Sequence, residues 1–209
     1  MPESDARERI LEAAADLVAA EGIDNVRIAR VAMRAGASTA LVHHYFSTRE
    51  ELLEQALLHS FEVVADERFA AEDEGDAERS ATAALAAAIE ECLPAPGRLE
   101  RDWVLWVELW LRAAREPQLR PLAASLYGRY HEWLEGVIET GIESGEFERP
   151  ANLRVLTDRA MAMLDGLGLR ALLRDPTMDI EAARRQVAEL LAPELGIDAE
   201  ALAPSGAAG

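Results

Sequence analysis

The sequence predicts an all-α chain in two parts, a short N-terminal helix-turn-helix domain and a longer helical domain. Three observations carry this. Apolar residues recur at helical spacing along the chain and nowhere alternate as in a strand. The periodic stretches are separated by short segments rich in Gly, Pro or acidic residues. Residues 28–49, IARVAMRAGASTALVHHYFSTR, divide into two short helices around a tight turn and the start of a third.

Residues 5–21 read as the first helix. Ile10, Leu11, Ala14, Leu17 and Val18 form its inner face, Asp5 and Glu8 stand at its start, and Gly22 ends it. Its expected role is to back the helix-turn-helix. In the next helix Ile28, Val31, Ala32 and Ala35 fall at i, i+3, i+4 and i+7, and Gly36 permits the positive φ of a sharp turn. Ser38 is a good N-cap for residues 39–46. Leu41, Val42, Tyr45 and Phe46 anchor that short helix, which leaves Thr39, Ala40, His43 and His44 on its outer side. Ser47 and Glu50 read as an S-x-x-E capping box opening a long helix to about residue 70. Its inward positions are Leu52, Leu53, Ala56, Leu57, Ser60, Phe61 and Val64.

The acidic run AEDEGDAE at 71–78 reads as a solvated loop, and the Ala-rich helix 77–92 is stopped by PAPG. Residues 99–115 form a helix with Trp103, Trp106 and Trp110. At 100° per residue these three indoles lie within about 60° of one another on one face. Arg101, Glu108, Arg112 and Arg115 take the other face, with Glu108 and Arg112 as an i, i+4 pair. Residues 118–144 form a further helix, broken at Gly141, Gly145 and Pro150. Asn152 caps a helix over 153–174 and Asp179 one to about Leu191, with a fraying tail expected from Pro193. The expected domains are 1–50 for the helix-turn-helix and 51–195 for the second helical domain, with 196–209 as a flexible tail.

Two short helices, a Gly turn and polar residues on the second describe a helix-turn-helix DNA reader. The same geometry also occurs in all-α proteins that never touch DNA. Charge discriminates between them. Residues 22–49 hold four Arg against one acid, a local +3 in a chain whose net charge is −18. The basic block coincides with the candidate reader, as phosphate contact requires. All 21 basic residues are Arg. The acidic total excludes unspecific nucleic-acid coating but permits a local basic patch, since salt screens charges beyond about 8 Å.

The stretch AGASTALVHHYFSTREELL resembles the signature of the TetR family of one-component transcriptional regulators. It is similar in particular to the branch typified by the choline-responsive repressor BetI. ILEAAADLVAAEG sits where that family places its first helix, and the motif spans about a quarter of the chain. The sequence departs from the family at three positions. Arg27 stands where the family usually has a Ser or Thr cap, His43 where it often has Tyr, and Arg49 where it usually has Lys. Arg cannot accept a hydrogen bond from helix N–H groups. In the second part, Trp103 and Trp110 in a W-x6-W spacing, then LYGRYHEWL and LDGLGLRALL, are similar to the BetI-type C-terminal half.

This resemblance implies a homodimeric, ligand-responsive regulator, in keeping with a repressor, that binds a near-palindromic double-stranded DNA operator. Thr39 and His43 are expected to bond base edges or nearby phosphates, Ala40 to pack on a thymine methyl, and His44 to face the groove beside them. Arg49 is expected to clamp a phosphate, with Arg27 and Ser38 as further phosphate candidates. Tyr45 either reaches a phosphate or packs as a core ring. The last two long helices are expected to form the dimer interface, with Ala160, Asp165, Gly166 and Gly168 within it, or else to pack inside one subunit. Trp103, Trp106 and Trp110, with Tyr127, Tyr130 and His131, form either an aromatic core or the walls of a pocket for an aromatic or cationic small molecule.

No enzyme is legible. The four His, at 43, 44, 59 and 131, lack the H-E-x-x-H spacing, and the one Cys, Cys92, supplies no thiolate cluster. G-x-G-x-x-G, Walker and G-x-S-x-G motifs are absent, so no cofactor is expected. One Cys and an N-terminus without a signal pattern point to the cytoplasm, and no apolar run approaches membrane length. The alternative function is a helical small-molecule-binding or scaffold protein without DNA binding, for which Arg27 at the cap is the hint.

Overall fold

The computed structural model describes residues 3–60 and 80–203, and these fall into two compact units. Residues 3–60 and 104–124 form the first, and 80–103 and 125–203 the second. No strand occurs among the described residues.

The first unit opens with α1 (Glu3–Glu21), followed by the 3-10 turn Ile23–Asn25, α2 (Ile28–Ala35), α3 (Thr39–Tyr45) and α4 (residues 49–60). The five apolar residues expected on the inner face of α1 are all buried, as are Val31, Ala32 and Ala35 of α2. Gly36 ends α2 in the left-handed region at φ 64°, and Ala37 N–H donates to the Ala32 carbonyl at 2.9 Å to close the turn. Ser38 then caps α3 by accepting from Leu41 N–H at 3.1 Å. Val42 and Phe46 seat α3 in the core, and Leu52, Leu53, Ala56 and Leu57 seat α4. Phe61 and Val64, also expected inward, and the acidic run at 71–78 lie outside the described residues.

The cap of α4 falls one residue later than the spacing suggested. Thr48, not Ser47, accepts from Glu51 N–H at 3.0 Å, and the Glu51 carboxylate reaches back to Ser47 N–H at 2.8 Å. Thr48 and Glu51 stand three apart, as Ser47 and Glu50 do, and the box forms with the same spacing one residue later.

The second unit holds α5 (Ala81–Glu91), the start of α6 (Arg98–Arg115), most of α7 (Arg120–Ser144), α8 (Leu153–Leu172), α9 (Ile180–Leu195) and α10 (Ala199–Leu202). Helix α6 therefore begins in this unit and continues in the first. Ser80, Asn152, Asp179 and Asp198 cap α5, α8, α9 and α10 through their side chains. Glu146 adds a second cap to α5 from 65 residues away, accepting from Ala81 N–H at 2.9 Å and Thr82 N–H at 3.1 Å. Those donations hold its carboxyl below the usual carboxylate range.

Two expectations for the C-terminal end are corrected. Pro193 does not begin a tail: it lies in the last turn of α9, which runs to Leu195. Nor are residues 196–203 loose, because α10 buries Leu202 completely and packs on α9 and α5. The Pro ring costs one backbone hydrogen bond, and burial of Leu191, Ala192 and Leu195 around it offsets that loss.

Candidate nucleic-acid interface

The reader is built from a buried strip and an exposed strip on the same short helix. Val42 is fully buried and Phe46 nearly so, with the Arg7 guanidinium 5.7 Å over the Phe46 ring. With those anchors inward, Ser38, Thr39, Ala40, His43 and His44 are all exposed. Tyr45 is intermediate, its ring 5.2 Å from that of His44. Five of the expected contact residues thus share the outer side of α3 and its cap, a donor- and acceptor-bearing surface of the kind that enters a major groove.

The charge around this surface differs from the sequence count. Arg30 pairs with Glu21, and Arg34 donates to Asp16 at 2.7 Å. Both acids lie on α1, outside the window that gave +3, so half of the basic block is compensated by residues that folding brings in. Arg27 is exposed, caps α2 without a side-chain hydrogen bond and makes no ion pair among the described residues.

Arg49, expected on a phosphate, is turned inward. Its Nε donates to the Val26 carbonyl at 2.7 Å, Nη2 donates to the Ile23 carbonyl, and Nη1 lies 3.4 Å from Glu50 Oε1. It lines a cleft of the first unit together with Glu108, Leu111 and Arg112 of α6. Arg112 itself pairs with Glu116 at 3.0 Å rather than with Glu108.

The aromatic candidates divide. Trp103 is a core residue of the second unit: its Nε1 donates to the Cys92 carbonyl at 3.2 Å and its ring lies against Gly168. Trp106 and Trp110 belong to the first unit, are half-buried, and tilt against each other with centroids 6.0 Å apart. In the second unit Tyr130 and Trp133 meet edge to face at 6.4 Å. His131 is buried between the carboxylates of Asp158 at 2.8 Å and Glu135 at 3.3 Å, neither contact aligned as a hydrogen bond.

The residues expected at a dimer interface also divide. Ala160 is fully buried within the chain, Gly168 abuts Trp103, and Asp165 Oδ2 accepts from the Tyr127 hydroxyl at 2.5 Å. Gly166 alone of the four faces open space. The pairing of Tyr127 with Asp165 joins two residues the sequence had assigned to different surfaces. Burial pushes the Asp165 carboxyl above its ordinary range, and burial followed by the bond to Asp165 raises the Tyr127 hydroxyl.

Comparison with known proteins gives this architecture its family. Residues 10–56 match the model of bacterial regulatory proteins of the tetR family, and residues 81–196 match that of the BetI-type transcriptional repressor C-terminal domain. The chain belongs to the TetR family of DNA-binding, ligand-responsive transcriptional regulators. Its second domain is of the BetI type. The HTH-type transcriptional regulator BetI of Burkholderia mallei (strain NCTC 10229) is 28% identical over 199 residues, covering 90% of this chain and 95% of that one. BetI of Cronobacter sakazakii is 26% identical over 192 residues, covering 90% of each. Among solved structures, a putative transcriptional regulator from Saccharomonospora viridis in complex with choline is 30% identical, with a TM-score of 0.79 over 92% of this chain and 98% of that one. The family is one of regulators, not enzymes, and among the described residues no helix is long and apolar enough to cross a membrane.

Proposed function

We propose that this regulator acts as a homodimer on a near-palindromic operator and is released by a small organic cation. The exposed strip Thr39, Ala40, His43 and His44 above the buried Val42 carries the DNA part of this reading. Eight or so residues of one reader contact few bases, so useful affinity needs two half-sites about 34 Å apart or a multiple of that. Thr39 and His43 would bond base edges, Ala40 would meet a thymine methyl, and Ser38 and Arg27 would approach phosphates. The scaffold alternative has little left to support it, since Arg27 leaves α2 intact.

The dimer face we propose is the outer side of α8. Val155, Ala162, Gly166 and Leu173 are exposed there at spacings of seven, four and seven residues, a stripe with small residues at its centre that is interrupted by the charged, exposed Arg159. Leu173 is 72% exposed in the single chain, a large apolar side chain that a partner helix would cover.

For the effector, support comes from the pair Tyr127 and Asp165. Asp165 is a half-buried carboxylate whose hydrogen-bond partner is a neutral hydroxyl. A buried charge without a counter-charge is costly, and a bound cation would offset that cost. Tyr130 and Trp133 supply aromatic surface in the same unit. The S. viridis neighbour is in complex with choline, which makes choline the first probe. Fluorescence anisotropy with DNA flanking the protein's own gene tests both halves. The reading requires saturable operator binding that choline weakens and the neutral isostere 3,3-dimethylbutanol does not. Release by both compounds, or by neither, would remove the cation.

A further inference from the structure

We infer that Arg49 is a positioning residue of the DNA reader, a clasp that fixes the start of α4 to the entry of α2. The inference rests on α3 being the reading helix. Arg49 is the first helical residue of α4, and its planar guanidinium forks to two carbonyls. Ile23 opens the 3-10 turn and Val26 directly precedes Arg27, the N-cap of α2. The two acceptors bracket the turn that leads from α1 into the helix-turn-helix.

The clasp answers a defect in the sequence. A Ser or Thr at position 27 would pin the start of α2 with its own side chain, and Arg27 makes no such bond. The backbone just before the helix is held from outside instead, by a charge-assisted bond of 2.7 Å to a residue 23 positions away. The substitution at the cap and the inward turn of Arg49 are then one arrangement. With the guanidinium spent on Ile23, Val26 and Glu50, α2 and the first turn of α4 move as one body, and α3 follows α2 through the closed turn at Gly36. Arg suits this role and Lys does not. The bonds leave from two different nitrogens of a rigid fork, whereas an ammonium offers one point of donation.

A phosphate clamp and a clasp make opposite predictions. The experiment measures operator affinity of the full-length protein, Arg49→Lys and Arg49→Gln over a salt series, with hydrogen exchange of amides 30–33. As a clasp, Arg49→Gln loses about tenfold in operator affinity, Arg49→Lys loses part of that, and both keep the wild-type salt slope. Both also exchange faster at residues 30–33, the first hydrogen-bonded amides of α2, while the remaining helices keep their protection. Under a phosphate contact, Arg49→Lys binds as the wild type does and Arg49→Gln flattens the slope by about one unit. That result, or wild-type affinity in both variants, overturns the clasp. Should Arg49→Gln fail to fold, Arg49→Lys separates the two by itself, since only the clasp predicts a loss for it. Failure of the wild type to bind any operator would instead remove the reading-helix assignment.

Discussion

The benzo edge of Trp103 occupies the space where a Cβ on Gly168 would stand, with Cζ2 2.3 Å and Cη2 2.4 Å from that point. The indole Nε1 is tied to the Cys92 carbonyl, so the ring has little freedom to withdraw. Gly168→Ala should therefore destabilise the fold by about 1–3 kcal/mol through overpacking. In a thermal-unfolding cycle with Trp103→Leu the double variant should recover part of that loss. Strict additivity would mean that the two residues do not meet.

The outer face of α8 gives a second prediction. Ala162→Arg places a long cation in the middle of the exposed stripe, away from Gly168 and the core. Light scattering should report a monomer with unchanged helical circular dichroism, and operator affinity should fall roughly a hundredfold or more as the linked half-sites separate. A dimer that survives this change would move the interface off α8.

Much of the fold was legible because helical periodicity reports which side of each element is apolar. Every inner-face residue expected on α1 is buried, and Ser38, Asn152 and Asp179 cap the helices expected of them. The outer strip of α3 was readable for the same reason, since the eight residues 39–46 leave few ways to arrange four apolar anchors, of which Val42 and Phe46 are buried and Leu41 and Tyr45 half-buried. What failed depended on partners distant in sequence. Nothing near Arg30 or Arg34 announces that Glu21 and Asp16 will neutralise them, and Arg49 reaches back 23 residues to a carbonyl, a group every residue carries. Gly166 and Gly168 are equally small, but they lie about 200° apart around the helix, so one meets Trp103 and the other open space. Small size alone says nothing of which side is which.

The pair Tyr127 and Asp165 makes stability depend on pH. The native Asp165 carboxyl is held above its ordinary 3.8, mainly by burial, while the Tyr127 donation pulls partly the other way. Between 3.8 and the raised native value, the folded chain keeps a proton that the unfolded chain has released. Stability contributed by this group therefore falls as pH rises through that window, and the full penalty is in place above it. Asp165→Asn keeps an oxygen for the Tyr127 hydroxyl and removes the titration. Urea denaturation should give equal stabilities below the ordinary carboxylate range and a more stable Asn variant at neutral pH. The same variant should lose choline binding if the carboxylate is the counter-charge. An Asn variant less stable at neutral pH would show the ionised carboxylate already compensated.

On α3 the prediction separates base contacts from helix support. His43 is exposed in the middle of the outer strip, three and four residues from Ala40 and Thr39, so all three present to one groove. Its ring offers one donor and one acceptor when neutral, which suits a purine edge. His43→Ala should relax discrimination at one position of each half-site by about 1–3 kcal/mol and leave the other positions as they were. Ser38 has a different role, because its side-chain oxygen caps α3 by accepting from Leu41 N–H. Ser38→Ala should weaken binding to all operators alike, with the reader helix about 1 kcal/mol less stable. Selection of bound sequences from a randomised duplex pool reads both effects in one experiment. A His43→Ala profile identical to that of the wild type would take His43 out of the base-reading set and leave Thr39 and Ala40 to carry it.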